Sequence, residues 1–473
     1  MTRLEGALHD TRRRTMGIGH RRALAAVGAT ALALGVLAAA GAPAVADTDP
    51  ATVDEGLWYY TRTGVAEAHQ QTTGQGVTIA VLDGPLNPGV PDLVGANVQV
   101  SGTCRDDAGA VAAPTSTGED ALHGTQVTSV LAGTGAGTGG QAGVRGVAPG
   151  ATVLHVSVFP PGWDPDGFGE AECALPDGAA RGYQYADAID AAVAAGADII
   201  TMSFAGDIWG DAEVAALLRA YAAGVIVLAG PDNEMGSGDT MLDPAGLNGV
   251  VSVARHDIDG ALPASMAPNG PYLGVVAPGV DLRAPTVVDG SWERYSLVDG
   301  NSFATPWTAG VLALAWSLHP DATANQMIQA LIHTTATTPE GGEPTHDDVF
   351  GYGPVSVPRL LAADPATFPD DNPLLRPLDD ADAWPSTAAI LEATGKAVPQ
   401  ETTEPTAEPS PTVEPAEGDE ADDDTDASAT LPLLAILGGA GLLLAVAITT
   451  AVLLRRRSAT PAATSTSPTR EEA

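Results

Sequence analysis

The chain has 473 residues, 44% of them hydrophobic, which predicts either one large domain with appendages or two domains. Its formal net charge is −38, and an acidic surface of this kind repels phosphate backbones. Nucleic acid is therefore excluded as a partner, and the acid excess is interpreted as a soluble, solvated surface.

The first 46 residues have the pattern of a secretion signal. A cluster of arginines between positions 12 and 22 precedes the apolar stretch 23–40. Ala44-Val45-Ala46 has the small-x-small pattern of a signal cleavage site, which makes Asp47 the predicted mature N-terminus. The segment 1–46 is thus predicted to be a signal peptide, with an uncleaved anchor as the alternative.

After an N-terminal extension at 47–76, the stretch 77–364 alternates apolar strand patterns with helix patterns. The predicted strands are Val77–Leu82, Thr152–Val158, Asp198–Phe204, Val225–Ala229, Val250–Ala254 and Leu273–Ala277. The predicted helices are His123–Ala132, Tyr185–Ala194, Ala212–Ala223, Phe303–Leu318 and Ala324–Thr334. Apolar strands separated by helices are typical of an α/β fold with a parallel sheet covered on both faces.

Two cysteines, Cys104 and Cys173, lie in loop-like segments of this domain. In an exported chain, two cysteines most simply form a disulfide. Two thiols without a nearby histidine pair do not indicate a zinc site. His155 lies within an apolar strand and is interpreted as a hydrogen-bonded core residue.

The C-terminal part changes character. Residues 365–430 are predicted to be a disordered linker, because prolines and like charges keep such segments extended; 401–430 alone holds eleven acids and no base. Residues 431–454 carry no charge and, at ~1.5 Å per residue, would span about 36 Å as a helix, enough to cross a bilayer. Arg455–Arg457 follow, so the tail 455–473 is predicted to be cytoplasmic and the rest extracytoplasmic.

An acid, a base and a hydroxyl occur in the chain order Asp83, His123 and Ser302. Asp83 follows an apolar strand, whereas His123 and Ser302 each open a helix pattern. These are the parts of a serine-hydrolase triad, in which the histidine accepts the serine proton and the aspartate orients the imidazole. Of the known chain orders of the triad, only one reads Asp, His, Ser.

These motifs resemble those of the subtilisin-like serine proteases, or subtilases, over roughly residues 55–360. The matched segments include the HGT tripeptide at His123, Gly146–Ala151 before a strand, and Gly300–Pro306 around Ser302. The resemblance implies a subtilisin-like three-layer sandwich and a serine endopeptidase that acts on polypeptides without a cofactor. Calcium is common in the wider family, but no spaced ligand loop is present, so no metal site is predicted.

The same resemblance implies roles for residues around the triad. IVLAGPDNE matches the family's apolar run followed by Ala-Ala-Gly-Asn-Glu, which makes Asn233 the candidate oxyanion donor beside the backbone N–H of Ser302. Ser203-Phe204-Ala205-Gly206 resembles one wall of a cleft in which an extended peptide pairs with backbone. Asp232 is a candidate for the primary specificity pocket, where it would favour a basic or polar residue.

Several positions depart from the family pattern without removing a triad member. The departures are Gly84-Pro85 for Thr-Gly or Ser-Gly, Pro231-Asp232 for Ala-Gly, Asn301 for Thr and Trp307 for His. Asp232 is the most consequential, because glycine often supplies a backbone shape that other residues resist. A weakly active or inactive enzyme is therefore an alternative.

The order of signal, peptidase domain, Pro-rich linker, membrane helix and short tail resembles the mycosins, membrane-anchored subtilases of actinobacterial type VII secretion. Only 30 residues separate Asp47 from the strand at Val77, and mycosins likewise lack an inhibitory prodomain. The resemblance implies an anchored cell-surface peptidase associated with a type VII secretion membrane complex. Two alternatives remain: a non-catalytic scaffold subunit of such a complex, and a surface protease without a secretion link.

Overall fold

The computed structural model describes residues 56–162, 173–174, 181–182, 185–206, 209–233, 243–263 and 270–399. The strands of the main sheet are β1 (Thr78–Asp83), β2 (Val98–Gly102), β3 (Thr152–Ser157), β6 (Ile199–Met202), β7 (Ile226–Ala229), β8 (Val251–His256) and β9 (Val275–Pro278). They are arranged in the order β2-β3-β1-β6-β7-β8-β9, and every neighbouring pair is parallel. Two antiparallel pairs stand apart: β4 (Cys173–Ala174) with β5 (Arg181–Gly182), and β10 (Leu282–Val288) with β11 (Ser291–Val298).

The helices surround this sheet. They are α1 (Trp58–Thr61), α2 (Val65–Ala68), α3 (Leu122–Ala132), α4 (Tyr185–Ala194), α5 (Asp211–Ala222), α6 (Asn301–Leu318), α7 (Ala324–His333), α8 (Val357–Ala362) and α9 (Thr387–Ala393). Short 3₁₀ turns occur at Glu119–Ala121 and Pro365–Thr367.

Two hydrophobic cores lie on opposite faces of the sheet. Along β1, Ile79 and Val81 belong to the core that also contains α3, α6 and α7, whereas Ala80 and Leu82 belong to the core under α4 and α5. Successive strand residues point to opposite faces, so a strand buried on both faces must be apolar throughout. This confirms the predicted α/β fold with a mainly parallel central sheet.

Helix α6 is the most deeply buried helix and leads from the nucleophile segment into the core. All of its residues are buried except Ser302 at its start and Ser317 and Leu318 at its end. Trp307 is fully buried, and its indole N–H donates to the carbonyl oxygen of Tyr59 at 3.2 Å. Tyr59 in α1 is itself fully buried, so the last part of the predicted extension 47–76 is packed into the domain.

The prediction of a disordered linker from residue 365 onward is wrong for 365–399. This stretch continues the folded domain and includes α9. Asn248 anchors it, because its side-chain N–H groups donate to Pro385 O and Thr387 Oγ1, both at 3.0 Å. Its side-chain oxygen accepts from the backbone N–H of Arg376, also at 3.0 Å. These satisfied hydrogen bonds fix an irregular, Pro-rich backbone that its composition alone would leave extended.

The remaining predicted segments, 1–46, 401–430, 431–454 and 455–473, lie outside the described residues. Within the part of the chain that the structure describes, no helix combines the length and the apolar character needed to cross a bilayer.

The predicted disulfide between Cys104 and Cys173 is confirmed, with Cα atoms 5.2 Å apart and both cysteines buried. It connects the loop after β2 to β4, across a sequence separation of 69 residues. A cross-link of this span stabilises the fold mainly by restricting the unfolded chain, typically by about 2–4 kcal/mol.

We expect Asn248→Ala to lower the free energy of unfolding by about 1–3 kcal/mol, because the backbone groups of the 376–387 segment lose their partner. Urea denaturation measures the loss, and limited proteolysis should cleave the variant within 365–399 before the wild type. Asn97→Ala is the matched control, since Asn97 is exposed and its side chain donates to Thr152 Oγ1, a contact outside the 365–399 segment. Equal protease resistance of the two variants would contradict the anchoring role.

Candidate active site

Several predicted site residues lie where parallel strands end at one edge of the sheet. Asp83 is the last residue of β1, Ser203 comes directly after β6, and the loop 231–233 follows β7. The carboxyl ends of parallel strands meet at the same edge, where sites form in α/β sheets. The chain therefore gathers an acid, a cleft wall and an amide donor within one region.

The acid and the base are in contact. His123 Nδ1 lies 2.8 Å from Asp83 Oδ1, and the same oxygen accepts from the backbone N–H of Gly84 at 2.7 Å. Asp83 is fully buried and the His123 side chain is 11% exposed. A buried carboxylate that binds Nδ1–H holds the tautomer in which Nε2 can accept a proton.

Gly124, next to His123, allows this contact. A Cβ atom at this position would lie 2.5 Å from the carbonyl oxygen of Pro85 and 2.9 Å from that of Gly84. Both distances are shorter than real Cβ contacts. Helix α3 can therefore approach the loop after Asp83 only with glycine here, which explains the glycine of the HGT tripeptide.

His155 supports the acid from behind. Its Nε2 lies 2.8 Å from the carbonyl oxygen of Gly84, and its Nδ1 lies 3.0 Å from Thr128 Oγ1. Because a carbonyl only accepts, Nε2 carries the proton and Nδ1 accepts from the hydroxyl of Thr128. Burial lowers the pKa of His155, so the ring is neutral. His155 thus connects β3 to α3 and to Gly84, whose backbone N–H donates to Asp83.

The nucleophile candidate Ser302 begins α6 beside the histidine. The ring of Phe303, the next residue, lies 6.2 Å from the ring of His123. The hydroxyl of Ser302 donates to the backbone carbonyl oxygen of Ser203 at 3.1 Å, and the hydroxyl of Ser203 donates to the backbone carbonyl oxygen of Ser302 at 2.8 Å. Attack requires the Ser302 hydroxyl to turn to His123, a change that is common when unliganded sites bind substrate.

The oxyanion donors lie at the start of the same helix. Ser302 is the second residue of α6, so its backbone N–H has no acceptor within the helix. Asn233 Oδ1 accepts from the backbone N–H of Asn301 at 2.9 Å and from the guanidinium of Arg255. With its oxygen bound there, the amide presents its N–H groups on the other side. The side chain of Asn233 is exposed, as a donor to a substrate must be.

Asn301 fixes the loop that carries Asn233. Its side-chain N–H groups donate to the carbonyl oxygens of Pro231 at 2.9 Å and Asp232 at 3.0 Å, while its oxygen accepts from the backbone N–H of Arg255. Two departures from the family pattern, Asn301 and Pro231-Asp232, are therefore in direct contact. The Asn301 side chain holds the loop by donating to two of the loop's carbonyl oxygens. A threonine at the same position could not do this.

The predicted cleft wall Ser203-Phe204-Ala205-Gly206 extends from the end of β6. Ser203 is buried and Ala205 is exposed. The ring of Phe204 stacks on Tyr185 at 4.9 Å, and Tyr185 stacks on Trp209 at 5.5 Å. These stacked rings stiffen one side of the wall. Asp232 is half-buried beside Asn233.

Arg255 and Thr128 were not among the sequence-predicted site residues, and His155 was interpreted only as a core residue. The available signal for Arg255 was a charge inside the apolar strand VVSVARH. The described part of the chain contains no group of three or more His, Cys, Asp or Glu side chains that could hold a metal ion. The absence of a cofactor remains a prediction.

Comparison with known proteins places these features in a family. A model described as "Subtilase family" matches residues 74–353. Subtilisin E of Bacillus subtilis (strain 168) is 32% identical over 271 residues, a match that covers 57% of this chain and 62% of that protein. Subtilisin of Bacillus pumilus is 31% identical over 271 residues, with 86% of that protein covered. The chain thus spans less than two thirds of the first of these relatives.

Two solved structures align with this chain. Fervidolysin from Fervidobacterium pennivorans, described as a keratinolytic enzyme related to subtilisin, aligns with a TM-score of 0.50 and 24% identity, covering 65% of this chain and 45% of that one. MycP1 from Mycobacterium smegmatis aligns with a TM-score of 0.49 and 20% identity, covering 69% of this chain and 88% of that one.

We expect His155→Gln to change how stability depends on pH. In the folded chain the pKa of His155 is lowered by burial, whereas in the unfolded chain it is near 6.5. Its contribution is therefore present above about pH 6.5 and is lost as the pH falls, because the unfolded chain binds the extra proton. The stability difference between wild type and variant should shrink between pH 7.5 and 5.5, as measured by urea denaturation.

Thr128→Val is the control for this experiment, since it removes the hydrogen bond to Nδ1 but keeps the titrating ring. It should lower stability while retaining the wild-type pH dependence. A constant offset between wild type and His155→Gln across this pH range would contradict a neutral, buried His155.

Proposed function

Because the chain belongs to the subtilase family, we propose that it is a serine endopeptidase that cleaves polypeptides. Asp83, His123 and Ser302 form its triad, and Asn233 is its second oxyanion donor. The observation that carries the proposal is the hydrogen bond between His123 Nδ1 and the fully buried Asp83 carboxylate, at 2.8 Å. Activation of a serine requires such a pair.

The chemistry follows from the positions of these groups. Ser302 Oγ attacks the scissile carbonyl carbon as its proton passes to His123 Nε2, and Asp83 stabilises the imidazolium. The backbone N–H of Ser302 and the amide of Asn233 donate to the oxygen that becomes negative. Collapse releases the amine, which takes the proton from His123. Water then hydrolyses the acyl-enzyme in the same two steps.

The substrate is an extended peptide that binds along the wall Ser203–Gly206. Exposed Ala205 supports this, because a small side chain leaves backbone accessible for strand addition. Asp232 lies beside the oxyanion donor and would favour a basic or polar side chain in the primary pocket. A peptide library that shows only apolar preference at that subsite would contradict this part.

The enzyme works at the cell surface, held by the membrane segment 431–454, with the tail 455–473 in the cytoplasm. Its partner is a type VII secretion membrane complex, as for mycosins. The support for this placement is the segment order in the sequence: a signal at 1–46, then the peptidase domain, an acidic linker and an uncharged stretch followed by arginines. Protease treatment of intact cells should degrade the peptidase domain; a protected domain would contradict the orientation.

A second candidate function is a catalytically weak scaffold subunit of a secretion complex. The observation that favours it is the hydrogen bond from Ser302 Oγ to the Ser203 carbonyl, which occupies the nucleophile with another acceptor. The two candidates differ in whether substrate or a reactive phosphonate can draw the hydroxyl to His123.

Active-site labelling decides between them. We expect the full-length chain, purified in a mild detergent, to react with a fluorophosphonate probe, and Ser302→Ala to lose all labelling. Asp83→Asn should retain the fold but react about 10⁴-fold more slowly, because the histidine then takes the wrong tautomer. Gel fluorescence against time measures the rates.

The control is Ser317→Ala, which removes a serine hydroxyl at the far end of the same helix. It should label at the wild-type rate. A folded wild-type chain that does not label, or labelling that persists in Ser302→Ala, would overturn the peptidase proposal and favour the scaffold.

A further inference from the structure

A buried arginine stands behind the oxyanion loop. Arg255 lies in β8, where the neighbouring residues from Val251 to His256 are all buried, and it is itself 8% exposed. Removing a guanidinium from water is unfavourable unless hydrogen bonds replace its hydration. An arginine at such a position is therefore expected to make contacts that a hydrophobic residue could not.

Two of its contacts are with Asn233. Arg255 Nη1 donates to Asn233 Oδ1, and Nη2 lies 3.4 Å from the backbone carbonyl oxygen of the same residue. The guanidinium thus touches both the side-chain and the main-chain oxygen of the candidate oxyanion donor. The backbone N–H of Asn301 donates to Oδ1 as well, at 2.9 Å.

This arrangement fixes the orientation of the Asn233 amide. An exposed asparagine side chain can rotate by half a turn and exchange its oxygen and nitrogen. Here two donors meet the oxygen, and the exchanged amide would place N–H groups against a guanidinium and a backbone N–H. The amide nitrogen is therefore kept on the side away from the guanidinium and from the backbone N–H of Asn301.

The arrangement also strengthens the donor. A hydrogen bond from a charged group is roughly twice as strong as a neutral one. It draws electron density toward Oδ1, and hydrogen-bonded groups polarise one another. The amide N–H groups of Asn233 consequently become better donors to a developing negative charge.

The main chain of Arg255 completes a closed set of contacts. Its N–H donates to Asn301 Oδ1 at 2.9 Å, and Asn301 Nδ2 holds the carbonyl oxygens of residues 231 and 232. Gly230 allows this approach, because a Cβ there would lie 2.9 Å from Thr305 Oγ1 and 3.2 Å from Asn301. Strand β8, the loop and the start of α6 are thus joined at one point.

We propose that Arg255 is a positioning residue of the oxyanion hole, which orients and polarises the Asn233 amide without touching substrate. The inference rests on the proposed peptidase function. It predicts that loss of the guanidinium slows the chemical step while leaving ligand binding nearly unchanged, and that the effect depends on Asn233.

The test compares Arg255→Met, Asn233→Ala and the double variant in the full-length chain. The readouts are the maximal rate and the half-saturating concentration of fluorophosphonate labelling. Removal of an oxyanion donor typically lowers a rate about 10²–10³-fold. Arg255→Met should lower the maximal labelling rate about 10- to 100-fold, with the half-saturating concentration within about threefold of wild type. In the Asn233→Ala background the same change should alter the rate less than about twofold.

Arg283→Met is the matched control. Arg283 is also buried, and it donates to the carbonyl of Ala142 and the side chain of Gln141, at other loops. It should lower the thermal midpoint but retain the labelling rate. Loss of the near-ultraviolet circular dichroism signal would show that Arg255→Met does not fold. In that case Arg255→Lys is the test variant, and because it keeps the charge but has fewer donors, it should label at an intermediate rate.

The outcomes separate the two proposals. A wild-type chain that does not label overturns the peptidase function and this inference with it. If the wild type labels, three results would overturn the inference alone. The first is an unchanged labelling rate in Arg255→Met, and the second is an equal effect of Arg255→Met with and without Asn233. The third, where Arg255→Met does not fold, is a wild-type labelling rate in Arg255→Lys.

Discussion

The parallel pairing of β1 between β3 and β6 is the constraint on which the rest of the structure depends. β3 pairs with all six residues of β1 and β6 pairs with Ile79–Leu82, and apolar side chains are buried on both faces of β1. A one-residue shift would exchange the two faces and move Asp83 away from His123. With this register, the loops after β1 and β6 end side by side, and α6 can bring Ser302 against the carbonyl of Ser203.

Much of this fold could be predicted from the chain alone because its inner strands are short, apolar and separated by helix patterns. Strand β2 (Val98–Gly102) was missed because it alternates half-buried and exposed residues at the edge of the sheet. The linker prediction failed at 365–399 for a different reason. A composition rich in proline and acidic residues indicates that a segment lacks a hydrophobic period. It does not indicate that Asn248, more than a hundred residues earlier, supplies the missing hydrogen bonds.

The candidate site, like the fold, could be predicted only in part from the sequence. The triad candidates were found because each lies in a short motif on a predicted strand or helix. Asn301 and Pro231-Asp232 were identified only as separate departures, since a single sequence does not show which residues meet. In the structure they form one contact, so a change that looked damaging in the loop is matched by a change at the helix start. Thr128 carries no local pattern, and Arg255 is marked only as a charge inside an apolar strand, so the roles of both emerge from three-dimensional proximity.

The contacts of Arg255 indicate why a charged side chain lies in the buried strand β8 despite the cost of desolvation. Replacing a buried charged residue with a hydrophobic one of similar size is often neutral or stabilising, so stability alone gives little reason for a guanidinium in β8. Its hydrogen bonds offset the cost of removing the guanidinium from water, and two of them end on Asn233, which is exposed. A positive charge held against the candidate oxyanion donor would serve a reaction that creates negative charge beside that donor. The oxyanion exists only during catalysis, and a preorganised donor needs no reorganisation when it forms.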